Sequence, residues 1–268
     1  MEQNPLPDEV FNRIREFFYE RTGNAIPETK KYLILHRLSS LIGKDKKYKS
    51  FEDLCCRVIS DPDGDEAFKV ITLLTTHYSY FFREREHFIF LQEYLMGRKK
   101  KEETRIWSAA SSTGEEAYSA AICAKLAVPD IDGSRLKILG TDIARDSLRK
   151  AQKGAFNLPL LKEHISADII DEFFSVEGGL ALIHDNIKEM TRFRYLNLLD
   201  PYPFQKLFHI VFLRNILYYL DNEKRDILVR HIVDYVEKGG YLIFGYMDSV
   251  STRSLPLAPV RNNIYRKL

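Results

Sequence analysis

Apolar positions along the chain first repeat at helical spacing and later fall into short continuous runs, and the change divides the molecule. From Asp8 onward Val10, Phe11, Ile14, Phe17 and Phe18 recur with the helical period, Thr22-Gly23 stops the run, and Pro27 opens the next. A second helix over about 28–42 turns Leu33, Leu35, Leu38, Leu41 and Ile42 toward a core and leaves Lys30, Lys31 and Arg37 outside. A lysine-rich link over 44–49, an apolar helix over 51–59, an Asp-Pro-Asp-Gly turn at 61–64 and a helix through Val70 and Leu74 follow. These elements predict a small all-α domain over residues 1–76, with its basic residues on a solvated face.

The joint that follows is unusual. His77-Tyr-Ser-Tyr-Phe-Phe-Arg83 is rich in aromatic residues, whereas joints between domains are commonly polar. Tyr80, Phe81 and Phe82 either seal the two halves together or serve a site, with Arg83 at its rim. A linker and connecting helix over 77–104, ending in a solvated charged loop at 97–103, leads to a second domain over 105–268. There the period changes: strand-like Ile106-Trp107, a small-residue turn from Ala109 to Gly114, a helix opened by Glu115 and Glu116, and a second strand ending at Asp142. A helix over 147–153 ends near Gly154. The α/β rhythm then breaks over about 155–194, where a short helix at 167–174, a Glu-Gly-Gly turn at 177–179 and strands over 180–183 and 187–193 predict a small β-rich insert. Residues 208–215 form an apolar run ending in Arg214-Asn215, which predicts a buried parallel strand whose carboxyl end lines a crevice. A helix over 222–236, a strand over 241–245 and a last segment over 263–268 close the sheet.

The passage from Trp107 through the small-residue turn into an acid-headed helix is the outline of a nucleotide-type cofactor site. It lacks G-x-G-x-x-G, so a dinucleotide pyrophosphate has no seat and bound NAD is not expected. Asp142, at the end of the second strand, stands where such folds hold a ribose diol, and the combination suggests an adenosine pocket. The alternative is that Glu116 and Asp142 are helix-dipole and capping residues of any α/β domain. Both readings stand on these residues alone.

A chain of 268 residues, 45% of them hydrophobic, can hold one large domain or two modest ones. A net charge of +2 gives no field on the scale that nonspecific nucleic-acid binding needs. Cys55, Cys56 and Cys123 have no metal-ligand spacing, so no metal is expected, and their odd number without a leading apolar segment argues for the cytoplasm. No apolar stretch is long enough to span a bilayer, so no direct membrane insertion is expected.

Together these pieces resemble the CheR family of chemotaxis receptor methyltransferases. The likeness runs nearly end to end and rests on Phe81-Phe82-Arg83-Glu84, Trp107-Ser-Ala, Ser112-Thr-Gly-Glu-Glu116 with Tyr118-Ser119, Thr141-Asp142, Asn197-Leu198, Arg214-Asn215 with Tyr219, and Gly239-Gly-Tyr-Leu242. The resemblance implies an α/β fold: a Rossmann-like S-adenosylmethionine-dependent methyltransferase domain with a small β-subdomain insert, preceded by the all-α domain. It implies methyl transfer to glutamates in the cytoplasmic region of chemoreceptors, with S-adenosylhomocysteine as product. The alternatives are a noncatalytic cofactor- or product-binding signalling member, or a methyltransferase acting on another protein. Carried over residue by residue, the cofactor contacts fall on His77, Ser79, Arg83, Glu116, Asp142, Asn197, Leu198, Leu213 and Arg214. Arg83 and Tyr219 fall next to the transferred methyl, and Lys30, Lys31 and Arg37 are the candidates for receptor docking. In some members of the family the β-subdomain pairs with a receptor tether by adding a strand. Two segments depart from the family pattern. His77 stands where an asparagine is usual, and Gly245-Tyr-Met-Asp248 replaces Gly-His-Ser-Glu.

Overall fold

The computed structural model describes residues 5–99 and 102–268. Part of the charged loop predicted at 97–103 therefore lies outside the described residues. Helices α1 (Asp8–Thr22), α2 (Lys31–Leu38), α3 (Phe51–Ser60) and α4 (Asp65–Leu74) form the N-terminal bundle. The apolar stripe of α1 is buried as its spacing requires, and Gly23, at φ 71°, ends the helix by returning its N–H to Tyr19. The second helix is shorter than its apolar pattern predicts. Tight 3-10 turns at Glu28–Lys30 and Ser39–Leu41 flank it. They rotate the inward face, so Ile34 and Leu38 are fully buried while Leu33 and Leu35 are half-buried.

Helix α5 (Glu86–Met96) follows the linker and packs on α6 (Glu115–Ala127), which is separated from β1 (Thr104–Ser108) by the small-residue turn. Next come β2 (Leu136–Asp142) and α7 (Arg145–Lys153). The insert is built from β3 (Ala155–Asn157), α8 (Leu158–Lys162), α9 (Ala167–Phe173), β4 (Phe174–Glu177) and β5 (Leu180–Ile183), its strands pairing in the order β3-β5-β4. After it come α10 (Asp185–Lys188), β6 (Thr191–Tyr195), β7 (Phe208–Leu213), α11 (Asn222–Asp234), β8 (Val236–Phe244), β9 (Leu257–Arg261) and β10 (Ile264–Lys267).

The main sheet has seven strands in the order β6-β2-β1-β7-β8-β10-β9. Neighbours from β6 to β8 pair in parallel, while β10 runs antiparallel to β8 and β9. Trp107 lies opposite Leu139 on one side and Val211 on the other. Strand order thus reverses at β1, which opens a crevice outside the carboxyl ends of β1 and β7. The apolar run of β7 is buried at every position, as a central parallel strand must be.

This is the Rossmann-like domain with a β-rich insert and an all-α N-terminal region that the resemblance implies. Two strands fall differently from the pattern. Ile187, Met190 and Phe193 are spaced by three, which suits a helix as well as a strand. The chain makes α10 first, and the strand begins only at Thr191. That strand, β6, pairs with β2 in the main sheet, so the insert's own sheet ends at Ile183. Strand β9 carries Pro259 and went unpredicted; at the sheet edge a proline leaves no ladder bond unmade, and the final segment lies one place inside it.

Candidate active site

A cavity of about 370 Å³ opens at this crevice, within the size range of small-molecule sites. Four strand ends contribute to it: Ser112 and Glu116 after β1, Asp142 and Ile143 after β2, Asn197 and Leu198 after β6, and Arg214 and Asn215 after β7. The linker closes it with His77, Ser79 and Arg83, and Thr22 and Asn24 from the end of α1 complete the wall.

The turn after β1 is held by packing and by Asp142. Gly114 has φ 96°, and a Cβ there would lie 2.8 Å from the Cβ of Ala151, so only glycine lets α6 start this close to α7. Asp142 accepts the Ser112 N–H at 2.8 Å and the Ala144 N–H at 2.9 Å, one on each carboxylate oxygen. Asp142 lines the cavity, and a carboxylate with one such N–H on each oxygen has acceptor capacity left. Burial pushes the Asp142 carboxyl above its ordinary pKa, against the pull of these two N–H groups. Ser112, itself at φ 48°, has a buried hydroxyl with no partner among the described residues. An unpaired hydroxyl beside a half-satisfied carboxylate is a polar cradle of the kind a ribose edge would fill.

Arg214 is the hub behind this cradle. Its side chain is 1% exposed. It donates to Glu116 at 2.8 Å, to Glu84 at 3.1 Å and to the carbonyl oxygen of Arg83. Ser108 donates to the other oxygen of Glu116 at 2.6 Å, and Asn215 to the other oxygen of Glu84 at 2.9 Å. Burial alone would raise the Glu84 carboxyl, but Arg214 and Asn215 hold it below the usual range. Glu116 therefore lines the cavity as one half of a buried ion pair rather than as a free acceptor. Beside the pair lies His87, fully buried, its Nδ1 3.5 Å from Glu84. Burial first, and then the charge of Arg214, lower its pKa to about 4.

The loop after β7 is fixed by Asp248, which accepts the N–H groups of Asn215 at 2.6 Å, Leu217 at 3.0 Å and Gly245 at 2.9 Å. The departure at 245–248 thus ends in a residue that holds the loop carrying Tyr219. Asn215 adopts φ 59°, and Gly245 must lack a side chain because a Cβ would lie 2.4 Å from the Asn215 Nδ2. Tyr219 faces the cavity, with the Tyr218 hydroxyl 3.4 Å from its own. The loop also meets the N-terminal bundle, where Ala25 N–H donates to the Tyr219 carbonyl and Asn24 bridges to Leu220.

In the linker, the aromatic residues fasten to the insert. Phe81 is buried edge-on against Phe156 and Phe174, and Tyr80 stacks on His164 at 4.2 Å. Arg83 donates to the Tyr78 carbonyl at 3.0 Å and lies against the Tyr78 and Tyr80 rings. Among the described residues it has no carboxylate partner, so of the two lining arginines it alone keeps an uncompensated charge. His77 takes the place of the family's asparagine without swinging out. Its Nε2 lies 2.8 Å from both the Thr75 hydroxyl and the Thr72 carbonyl, with its ring on the cavity wall.

Of the residues singled out from sequence, His77, Ser79, Arg83, Glu116, Asp142, Asn197, Leu198, Arg214 and Tyr219 come together on this cavity. Leu213 does not: it points into the core between the sheet and α11, and the polar pair after it, Arg214-Asn215, lines the wall instead. Arg37 is not a free docking cation. Its guanidinium turns inward to the carbonyls of Leu74 and Thr75 and the Thr76 hydroxyl, pinning the start of the linker, where orphan carbonyls at the end of α4 attract it. Lys31 pairs with Asp8 at 2.5 Å, Lys30 is exposed, and neither lines the cavity. Sequence reading missed Asn215, although it was visible beside Arg214, and also Thr22 and Asn24, which no local signal ties to a site so far along the chain.

Comparison with known proteins agrees with this geometry. Residues 9–75 match the family described as CheR methyltransferase, all-alpha domain, and residues 77–264 match CheR methyltransferase, SAM binding domain. A chemotaxis protein methyltransferase from Borreliella burgdorferi is 32% identical over 263 residues, covering 92% of this chain and 90% of the relative. One from Klebsiella aerogenes is 31% identical, covering 92% and 85%, and one from Vibrio parahaemolyticus is 29% identical, covering 96% and 95%. The strand-end cavity, the bundle that walls it and matches running through both halves have one explanation: the chain belongs to the CheR methyltransferase family, and is an S-adenosylmethionine-dependent methyltransferase.

Proposed function

We propose that this protein transfers methyl groups to glutamate side chains in the cytoplasmic region of chemoreceptors, as a cytoplasmic protein-glutamate O-methyltransferase. The observation that carries the reading is Arg83: a cation with its charge uncompensated, on the wall of the cavity that Tyr219 and the buried Arg214–Glu116 pair also line. An acceptor carboxylate fits such a group by paired charge-assisted bonds. The unpaired Ser112 hydroxyl and the open lone pairs of Asp142 suit the ribose hydroxyls of S-adenosylmethionine, and Ile143 and Leu198 offer an apolar wall for its base.

When bound, that cosubstrate supplies a methyl on a positively charged sulfur; a carboxylate oxygen forms the new O–C bond while the C–S pair returns to sulfur, leaving a methyl ester and a neutral thioether. A glutamate with a reference pKa near 4.3 is already ionised at neutral pH, so no proton moves and the chain needs no general base. The work left for the protein is alignment. Arg83 orients the incoming carboxylate, and the loop held by Asp248 keeps Tyr219 on the wall of the same cavity. Charge is lost as the methyl moves, so an arginine held too tightly to the acceptor would stabilise the ground state; the partial occupation of Arg83 by the Tyr78 carbonyl and two rings moderates its grip.

The test is transfer of labelled methyl from S-adenosylmethionine to chemoreceptors in isolated membranes, together with calorimetric titration of the cosubstrate into the wild type and Asp142→Ala. Base-labile methyl esters on the receptor, and binding lost in the variant, support the reading. Tight binding with no receptor ester would overturn the acceptor assignment, and labelling of a different protein would redirect it.

A further inference from the structure

A second concavity, of about 610 Å³, runs between the end of α4 and the exposed face of α7. Its walls carry Arg37, Arg149, Lys150 and Lys153 against the single carboxylate of Asp146. The whole chain carries a net charge of only +2, so this groove gathers a positive field that the composition does not announce. The stripe arises from the helix period: Ser147, Leu148 and Ala151 of α7 turn inward, which leaves Arg149, Lys150 and Lys153 on the outer face. Arg149 pairs with Asp146 at 2.5 Å, while Lys150 and Lys153 are exposed and have no ion-pair partner among the described residues. The floor is mixed, with Leu73 and Thr72, and its lining has no Phe, Tyr or Trp ring on which a nucleic-acid base could stack. Thr75 and His77 belong to the walls of both this groove and the methyltransferase cavity, so the two are neighbours across one turn of linker.

We infer that this groove docks an acidic polypeptide segment of the acceptor protein, with α7 supplying the free cations that α2 does not. The inference rests on the reading of the acceptor as a protein glutamate. A segment that presents several glutamates carries several negative charges at neutral pH, and one lying along α7 is next to the cavity. Such rim charges act chiefly on encounter and on salt dependence. They are not required for cosubstrate binding, since neither lysine lines the cavity.

Lys150→Glu/Lys153→Glu in the full chain tests it, with receptor in isolated membranes titrated as acceptor at low and high salt. The KM for receptor should rise roughly tenfold at low salt, with kcat and the S-adenosylmethionine Kd unchanged. Wild-type KM should climb with salt while that of the variant does not. Lys150→Gln/Lys153→Gln should fall between the two, which separates lost charge from a damaged fold. An unchanged KM in the charge-reversed variant, or a salt-insensitive wild type, would overturn the docking site while leaving the methyltransferase reading intact. Equal loss of cosubstrate affinity would also overturn it, by assigning the lysines to the cofactor. A wild type that forms no receptor ester would instead remove the acceptor reading on which the inference stands.

Discussion

Arg214 donates to Glu116 at 2.8 Å across 98 residues of sequence, joining the end of β7 to the head of α6. With Glu84 on its other side it forms a buried carboxylate–guanidinium–carboxylate triad whose acidic side chains are 9% and 14% exposed. Removing the cation leaves two buried acids facing each other. Arg214→Met should therefore lower unfolding free energy by about 3–5 kcal/mol and abolish measurable cosubstrate binding. Arg214→Met/Glu116→Gln should recover part of the loss, because one orphan charge goes with it. Denaturant unfolding of the variants checks this; an Arg214→Met protein as stable as the wild type would show that the triad is not what holds the strand ends together.

Asp248 makes three backbone N–H groups its own, and the loop they belong to carries Tyr219. Asp248→Ala should cost roughly 2–4 kcal/mol, since buried donors then lack an acceptor. It should also lower kcat more than it weakens cosubstrate affinity, because Asp142 and Ser112 lie on other strand ends. Asp248→Asn, which keeps one acceptor oxygen, should be milder. Parallel stability, kcat and calorimetric measurements separate a moved loop from a damaged fold.

The pattern that could be read ahead of the structure was the local one. Helical spacing placed α1, the β7 run could only be a central strand, and Glu116 and Asp142 stood at strand ends where chemistry collects. What escaped depended on contacts between distant segments. Nothing local to Arg37 says that the carbonyls of Leu74 and Thr75 will claim it. Leu213 and Arg214 are adjacent, and only the pleat decides that the first faces the core and the second the cavity. The spacing of Ile187, Met190 and Phe193 served helix and strand equally, so the boundary of the insert could not be drawn from it. Nothing local to the departure at 245–248 says that Asp248 anchors three backbone N–H groups.

His87 makes stability depend on pH in a defined window. Its imidazole is fully buried against Glu84, Arg214 and the Tyr246 ring, and its pKa falls to about 4 from an ordinary value near 6.5. The folded state keeps it neutral while the unfolded chain takes up a proton. Its contribution is therefore complete above the unfolded pKa and is lost as pH falls from about 6.5 toward 4, by up to about 1.4 kcal/mol per pH unit. His87→Phe should flatten the stability curve across this window and leave it unchanged above neutrality. Glu84, depressed by Arg214, adds to acid lability only at lower pH, in the carboxylate range. Denaturant midpoints at a series of pH values decide; a variant that loses stability on acidification as steeply as the wild type would assign the window to other groups.

Arg83 separates binding from alignment. Its guanidinium has one hydrogen bond to the Tyr78 carbonyl and two ring contacts, and none of these belongs to the cradle formed by Ser112 and Asp142. Arg83→Ala should therefore leave most cosubstrate affinity in place while turnover falls roughly a hundredfold, as orientation of the acceptor is lost. Arg83→Lys keeps the charge but not the planar fork, so it should recover acceptor KM better than kcat. Stability should change little, because the side chain bridges no buried acid. Single-turnover methyl transfer at saturating receptor, set beside calorimetric affinity, measures the two effects separately. Equal losses of both would make Arg83 a cosubstrate ligand and move the alignment role to Tyr219, which lines the same cavity.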